Sequence, residues 1–208
     1  MSTVERARIP RAVAETIAAI VIEQVGPSCE RVEVAGSIRR RVDTVKDIEI
    51  VAVPKLEVPQ VGLFGDLFGD TGEPISLLKL KLDALVADGF LYKRMDADGK
   101  QRWGNRHQRA LYKCADFEVG IDFFAVIPPA QWGVIFAIRT GSAEFSRNLV
   151  TQVADGGMMP SGLRVMDGAL WRVNPANRDE KLEVINTPKE ADVFRALGWH
   201  GYPPPEQR

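Results

Sequence analysis

Cysteine is nearly absent: Cys29 and Cys114 are the only two in 208 residues. Two thiols so far apart in sequence supply neither a disulfide framework nor the paired-cysteine spacing of a zinc site. Histidine is as scarce. His107 and His200 share no motif with acids or cysteines, so surface or packing roles are expected of both. No apolar run approaches the roughly 20 residues that cross a bilayer, and no stretch reads as a signal peptide, so a cytoplasmic protein without membrane contact is expected. An excess of positive charge is missing too: 27 Lys and Arg stand against 28 Asp and Glu, a formal net charge of −1. That balance excludes a large basic surface of the kind that neutralises duplex phosphates, and any grip on nucleic acid must be local, weak and salt-sensitive.

The densest chemistry lies between Gly36 and Val51: Gly-Ser-Ile-Arg-Arg-Arg-Val-Asp-Thr-Val-Lys-Asp-Ile-Glu-Ile-Val. Gly36 lets the backbone approach an anion, Ser37 offers a hydroxyl and an amide, and Arg39, Arg40 and Arg41 supply cationic forks suited to phosphate oxygens. In the run after Lys46, Ile48 and Ile50 alternate with Asp47 and Glu49, so both carboxylates point to one face of a strand. Like charges about 7 Å apart, from the strand rise, repel unless a cation lies between them. Magnesium prefers such hard oxygens and is usually held by one or two carboxylates together with substrate phosphates. Read apart, the arginines are a solvated turn and the acids an exposed strand face. Read together, they point to a metal-bound nucleoside triphosphate.

A Gly-Ser turn followed at this spacing by acid, hydrophobic, acid resembles the nucleotidyltransferase superfamily, and within it DNA polymerase family X. Arg8-Ile9-Pro10 before the apolar stretch Val13 to Val25 resembles the family's helix leading into its palm. Ile121-Asp122-Phe123, followed by Pro128-Pro129-Ala130-Gln131-Trp132-Gly133, is similar to the strand carrying a third carboxylate and the helix after it. Thr140-Gly141-Ser142 matches the end of the family's Tyr-Phe-Thr-Gly-Ser turn, and Leu197-Gly198 through Tyr202-Pro203-Pro204-Pro205-Glu206 its C-terminal signature. The resemblance covers most of the chain but little of Lys55 to Lys100.

The resemblance implies template-dependent transfer of a nucleotide from a dNTP to the 3′-hydroxyl of primed or gapped DNA, in short repair gaps, by a monomer from a bacterium or phage. Asp47, Glu49 and Asp122 would be the catalytic residues and the ligands of two Mg2+ ions, with Mn2+ able to substitute. Arg8, Gly36, Ser37 and Arg40 would hold the triphosphate, and Ile138, Arg139, Thr140, Gly141, Ser142 and Ser146 would form the rest of the nucleotide site. Arg39 is set aside, since neighbours on an extended turn do not both face one ligand. Glu49 stands where the family has aspartate, which implies a slower or more manganese-tolerant enzyme. Ile138-Arg139 replaces the aromatic pair that screens the sugar, Ser146 an asparagine that reads the base, and Val150 an arginine that reaches the template. Weak sugar discrimination and low fidelity are implied.

Asp116, Glu118 and Asp122 alternate along one strand face; Asp122, flanked by Ile121 and Phe123 and nearest Pro128, is taken as the third carboxylate, with a bulge expected after it. Basic residues around the neighbouring strands, including Arg102, Arg106 and Arg109, together with Arg147 beyond the Thr-Gly-Ser turn, either contact DNA or simply solvate the surface.

Breakers place helices over 10–25, 75–88, 129–139 and 143–154, strands over 31–35, 47–53, 90–95, 101–103, 107–113 and 117–126, and a hairpin over 163–173 turning at Asp167-Gly168. Thr187-Pro188-Lys189-Glu190 reads as a capping box opening a last helix that ends at Gly198. The expected fold is α+β: a nucleotidyltransferase palm over 1–139, a mixed β-sheet backed by helices, then a small α/β thumb over 140–208. No helix-hairpin-helix motif is found, and fingers and a lyase module are not expected. Pro54 to Pro74 reads as an exposed loop carrying the repeat Leu63-Phe64-Gly65-Asp66, Leu67-Phe68-Gly69-Asp70. Within it Gln60, Leu63 and Phe64 match the pentapeptide by which bacterial replication proteins dock on a sliding clamp, or else the phenylalanines fold back as a lid. Two rival readings of the whole stay open: nucleotidyl transfer to an RNA end or a small molecule, and a catalytically weak nucleic-acid-binding module.

Overall fold

Ala14, Ile17, Ala18, Val21 and Val25 recur with helical spacing and are all buried on one face of α1 (Arg11–Val25), which the chain enters through Pro10. The computed structural model describes residues 8–58, 74–96, 98–114 and 117–208. Ahead of α1, β1 (Ile9–Pro10) pairs antiparallel with β3 (Thr44–Val45) and so anchors Arg8 beside Thr44.

Five strands form the main sheet in the order β2 (Cys29–Val34), β4 (Asp47–Pro54), β9 (Phe117–Ala125), β8 (His107–Cys114) and β7 (Tyr92–Lys93). β4 and β9 run parallel and the other neighbours antiparallel, while β5 (Leu56–Glu57) and β6 (Ile75–Ser76) form a separate antiparallel pair. Alternation then sorts the faces. Ile48 and Ile50 of β4 and Ile121 and Phe123 of β9 bury against α1 and α3 (Leu77–Ala87). Val51 and Phe124 face the other way, against Trp132 and Phe136 of α4 (Trp132–Thr140). Asp47, Glu49 and Asp122 therefore lie on the α4 side of the sheet.

Past α4, α5 (Ala143–Val150), the antiparallel strands β10 (Leu163–Met166), β11 (Ala169–Asn174) and β12 (Asn177–Ile185), and α6 (Glu190–Ala196) enclose a second core around Phe145, Leu149, Leu170 and Phe194. α4 supplies Val134 and Ala137 to it, so one helix serves both cores. The architecture is α+β, a mixed sheet backed by helices and followed by a smaller antiparallel sheet with its own helices. Among the described residues no helix is long and apolar enough to cross a membrane.

Several elements differ from expectation. Gly36–Arg39 is a turn of helix, α2, not an extended turn. α4 starts at Trp132, because Pro128 and Pro129 are taken up in a turn in which the Ala130 amide donates to the Ile127 carbonyl at 2.9 Å. α5 stops at Val150, where the Thr151 hydroxyl donates to the Arg147 carbonyl and the chain turns extended. The strand expected at 101–103 is reduced to single bridges, Met95 with Gln101 and Trp103 with Gln108. No bulge follows Asp122: β9 stays in continuous register with β4 and β8 through Phe124. β12 was not expected at all; its first eight residues are exposed, so its sequence carries no core-facing alternation. The last helix is capped by Asp192, which accepts from the Lys189 amide at 2.9 Å, and not by a Thr187–Glu190 box. The clamp-like residues Gln60, Leu63 and Phe64, the tandem repeat and Asp116 lie outside the described residues.

Candidate functional site

The parallel pairing of β4 with β9 sets Glu49 directly beside Asp122 and Asp47 beside Gly120, while β8 sets Arg109 on the other side of Asp122. Three neighbouring strands thus present Glu49, Asp122 and Arg109 at one level. Glu49 and Asp47 open into a cleft of about 370 Å³. Its cations are Arg8, Arg40, Lys46 and Arg139, and its walls include Ser37, Ile138, Gly141 and Ser146. Four positive side chains against two carboxylates favour a polyanion.

Each cation is held differently. Arg8 donates to the Thr44 hydroxyl at 2.9 Å and to the Thr44 carbonyl at 2.5 Å. Arg40 donates to the carbonyls of Thr140 and Gly141 at 2.6 and 2.8 Å, joining α2 to the turn after α4. Arg139 lies with its guanidinium 3.9 Å from the Phe124 ring, and its buried Nε has no hydrogen-bond partner among the described residues. Burial pulls the pKa of Arg139 and of Arg40 below the ordinary arginine range, while Glu49 opposes the shift in both. Lys46 went unmarked in the sequence because strand alternation would turn it away from Asp47; β4 begins one residue later, so Lys46 is free to face the cleft.

Gly36 sits under Glu49 with φ +63°, and a Cβ there would lie 2.1 Å from Glu49 Oε2. The Glu49 carboxyl is pushed up to about 7, first by burial and then by Asp47, with Asp122 adding to the shift and Arg139 and Arg40 opposing it. Asp122 is only 7% exposed. Its Oδ1 accepts from Arg109 Nε at 2.8 Å, and Arg94, itself buried, lies 3.5 Å from Oδ2. Arg109 also reaches Asp96, which Arg102 holds at 2.7 Å. Among the described residues no three acids converge into a ready-made cation site.

Some expected residues lie outside the cleft. Thr140 is fully buried and its hydroxyl accepts from Arg39 at 2.6 Å. Ser142 caps α5, accepting from the Phe145 amide at 3.2 Å. Ser146 borders the cleft but donates its hydroxyl to the Ile138 carbonyl at 2.5 Å. Of the arginines expected on DNA, Arg109 faces Asp122 and Asp96, Arg102 pairs with Asp96, and Arg106 reaches the Asp167 carbonyl at 3.4 Å; Arg147 stands exposed on α5. Sequence reading missed Asp96, and grouped Arg94 with the basic residues around the strands, because nothing local distinguishes a charge that folds onto the site from one that solvates a loop. The chain matches no protein-family model and no curated protein.

Proposed function

We propose that this cleft transfers a nucleotidyl group, and that the protein is a small template-dependent DNA polymerase of the family X kind. The observation that carries the reading is the pairing of two cleft carboxylates, Asp47 and Glu49, with Asp122 in register on the parallel neighbour, under a rim of four cations. Arg8, Arg40, Lys46 and Arg139 would bind the phosphate oxygens, and the Ser37 hydroxyl would add a neutral donor.

The donor set fits a divalent cation. Asp47 and Glu49 are hard oxygen donors, and the Glu49 carboxyl, raised first by burial and then by Asp47, is one whose ionised form a cation would favour. Asp47 and Glu49 would hold the magnesium; Asp122, beside Glu49 on the next strand, is turned to Arg109 and Arg94 and would have to swing from them to join the two. Bound there, magnesium would stabilise charge on the attacking and leaving oxygens of an in-line displacement. Asp122 would orient the incoming hydroxyl by exchanging one of the long contacts at its Oδ2, where Arg109 and Arg94 each lie 3.5 Å away, for the substrate. Arg139, packed over Phe124, sets a fixed positive charge beside Glu49 and Asp122 at the edge of the cleft.

Primer extension on a one-nucleotide gapped duplex, with each dNTP and NTP offered separately under magnesium or manganese, tests the reading. Template-matched addition is expected, and it should vanish in Asp47→Ala and Asp122→Ala. Addition surviving in Asp47→Ala would overturn it. A second reading, transfer to an RNA end or a small acceptor, is favoured by one observation: three arginines expected to grip DNA are engaged within the protein. Addition to RNA ends with none to DNA would select it.

A further inference from the structure

Two buried charges outside the cleft have no part in the chemistry above. Glu190, the first residue of α6, is 7% exposed, and Arg208 is 6% exposed. Arg208 donates to Glu190 at 2.5 and 3.4 Å and to the Pro203 carbonyl at 2.8 Å, and its guanidinium lies 5.2 to 5.8 Å from the rings of Phe194, Tyr202 and Phe145. Both Glu190 oxygens also accept from Arg39, each at 2.8 Å. One carboxylate is thus shared by two guanidinium forks, one from α2 and one from the end of the sequence given.

Arg39 links this pair to the cleft. It follows Ser37 by two residues and precedes Arg40, both of which line the cleft, and its guanidinium packs 4.1 Å from Phe136 while donating to the Thr140 hydroxyl at 2.6 Å. Thr140 lies between Arg139 and Gly141, which also line the cleft, and Arg40 donates to the Thr140 and Gly141 carbonyls. Each set of contact groups is therefore fastened within one residue, and both fastenings meet at Arg39, which Glu190 holds.

We infer that Glu190, held by Arg208, is a positioning residue for the nucleotide: it sets the spacing between α2 and the Thr140–Gly141 turn, and so the distance between Arg40 and Arg139 across the phosphates. The inference rests on the nucleotidyl-transfer reading. A residue that only stabilised the fold would shift melting and leave the remaining folded enzyme with unchanged affinity. A positioning residue shifts affinity in the folded enzyme.

The test compares wild type with Glu190→Gln, Arg208→Ala and Arg208→Lys, measuring KM and kcat for magnesium-dTTP incorporation at a temperature where melting shows each variant folded. Expected is a rise in KM of tenfold or more in Glu190→Gln and Arg208→Ala with kcat within about threefold, and partial recovery in Arg208→Lys, which restores the charge without the fork. Should Glu190→Gln fail to fold, the Arg208 pair decides. KM unchanged in folded variants of an active enzyme overturns the positioning role and leaves the nucleotidyl-transfer reading standing. A wild type that neither binds nor incorporates dTTP overturns both.

Discussion

At the scale of single residues, Gly36 and Glu49 constrain each other. A Cβ on Gly36 would press into Glu49 Oε2, and its φ of +63° is one that L side chains adopt at a cost of roughly 1–2 kcal/mol. Gly36→Ala is therefore expected to lower stability by about that amount and to cut nucleotide incorporation more than tenfold, since the carboxylate must swing away to make room. Full activity with lowered stability would remove Glu49 from the chemistry. The raised Glu49 carboxyl adds a pH signature. Its folded pKa, about 7, lies above the ordinary 4.5, so the protonated form is favoured in the folded state. The associated stability is complete below pH 4.5 and lost as pH rises towards 7, about 3 kcal/mol in all. Urea unfolding in chelator should show this decline and Glu49→Gln should flatten it. Added magnesium should stabilise more at pH 8 than at pH 5, because a cation favours the ionised form.

At the scale of elements, legibility tracked burial. α1, β4 and β9 were readable because their apolar periods are strict: Ile48 and Ile50 on one face, Asp47 and Glu49 on the other, leave one assignment. β12 was not, since Asn177 to Val184 is exposed along its whole length and its pairing with β11 is a matter of backbone hydrogen bonds. The α2 turn was misread for a related reason: four residues carry too little periodicity to separate helix from loop, and the outcome reversed the basis for setting Arg39 aside without changing the result. Successive residues of a helical turn diverge by about 100°, which sends Arg39 to Glu190 while Arg40 faces the cleft. Asp47, Glu49 and Arg40 were legible as a local motif, and Arg8, Asp122 and Arg139 only through the family resemblance; Lys46, Asp96 and Glu190 were legible by neither, being placed by tertiary contacts. One such contact gives an element-scale prediction. Gly133 donates its amide to the Thr187 carbonyl at 2.9 Å, and a Cβ there would lie 2.4 Å from the Lys189 carbonyl and 2.6 Å from that of Thr187. Backbone cannot rotate aside as a side chain can, so Gly133→Ala should part α4 from α6 and cost about 1–3 kcal/mol in a denaturant titration. An unchanged midpoint would mean that the two helices are not in such close contact.

At the scale of the whole molecule, α4 belongs to two apolar clusters: Trp132 and Phe136 pack with Ala35, Val51, Phe124 and Val126 against the main sheet, and Val134 and Ala137 join the core around Phe194. Apolar contact alone lets surfaces slide; the Arg39–Glu190–Arg208 group adds directional bonds across the same junction. Burial pushes the Glu190 carboxyl up, but the hydrogen bonds and charges of Arg39 and Arg208 outweigh it and hold it below the ordinary range. A depressed carboxyl contributes stability that is present above its unfolded pKa and is lost as pH falls through its folded one. Taking away the carboxylate leaves the buried Arg208 guanidinium and the half-buried one of Arg39 without their shared acid, and losing a partner from a buried ion pair typically costs about 3–5 kcal/mol. Glu190→Gln should therefore be less stable than wild type by that order at pH 7, and the two unfolding curves should draw together as the pH drops below 4.5, where wild type loses the same charge. Curves that stay parallel down to pH 3 would show that the junction is held by packing and not by the shared carboxylate, and Arg208 would then be a buried side chain with no electrostatic part in joining the two halves.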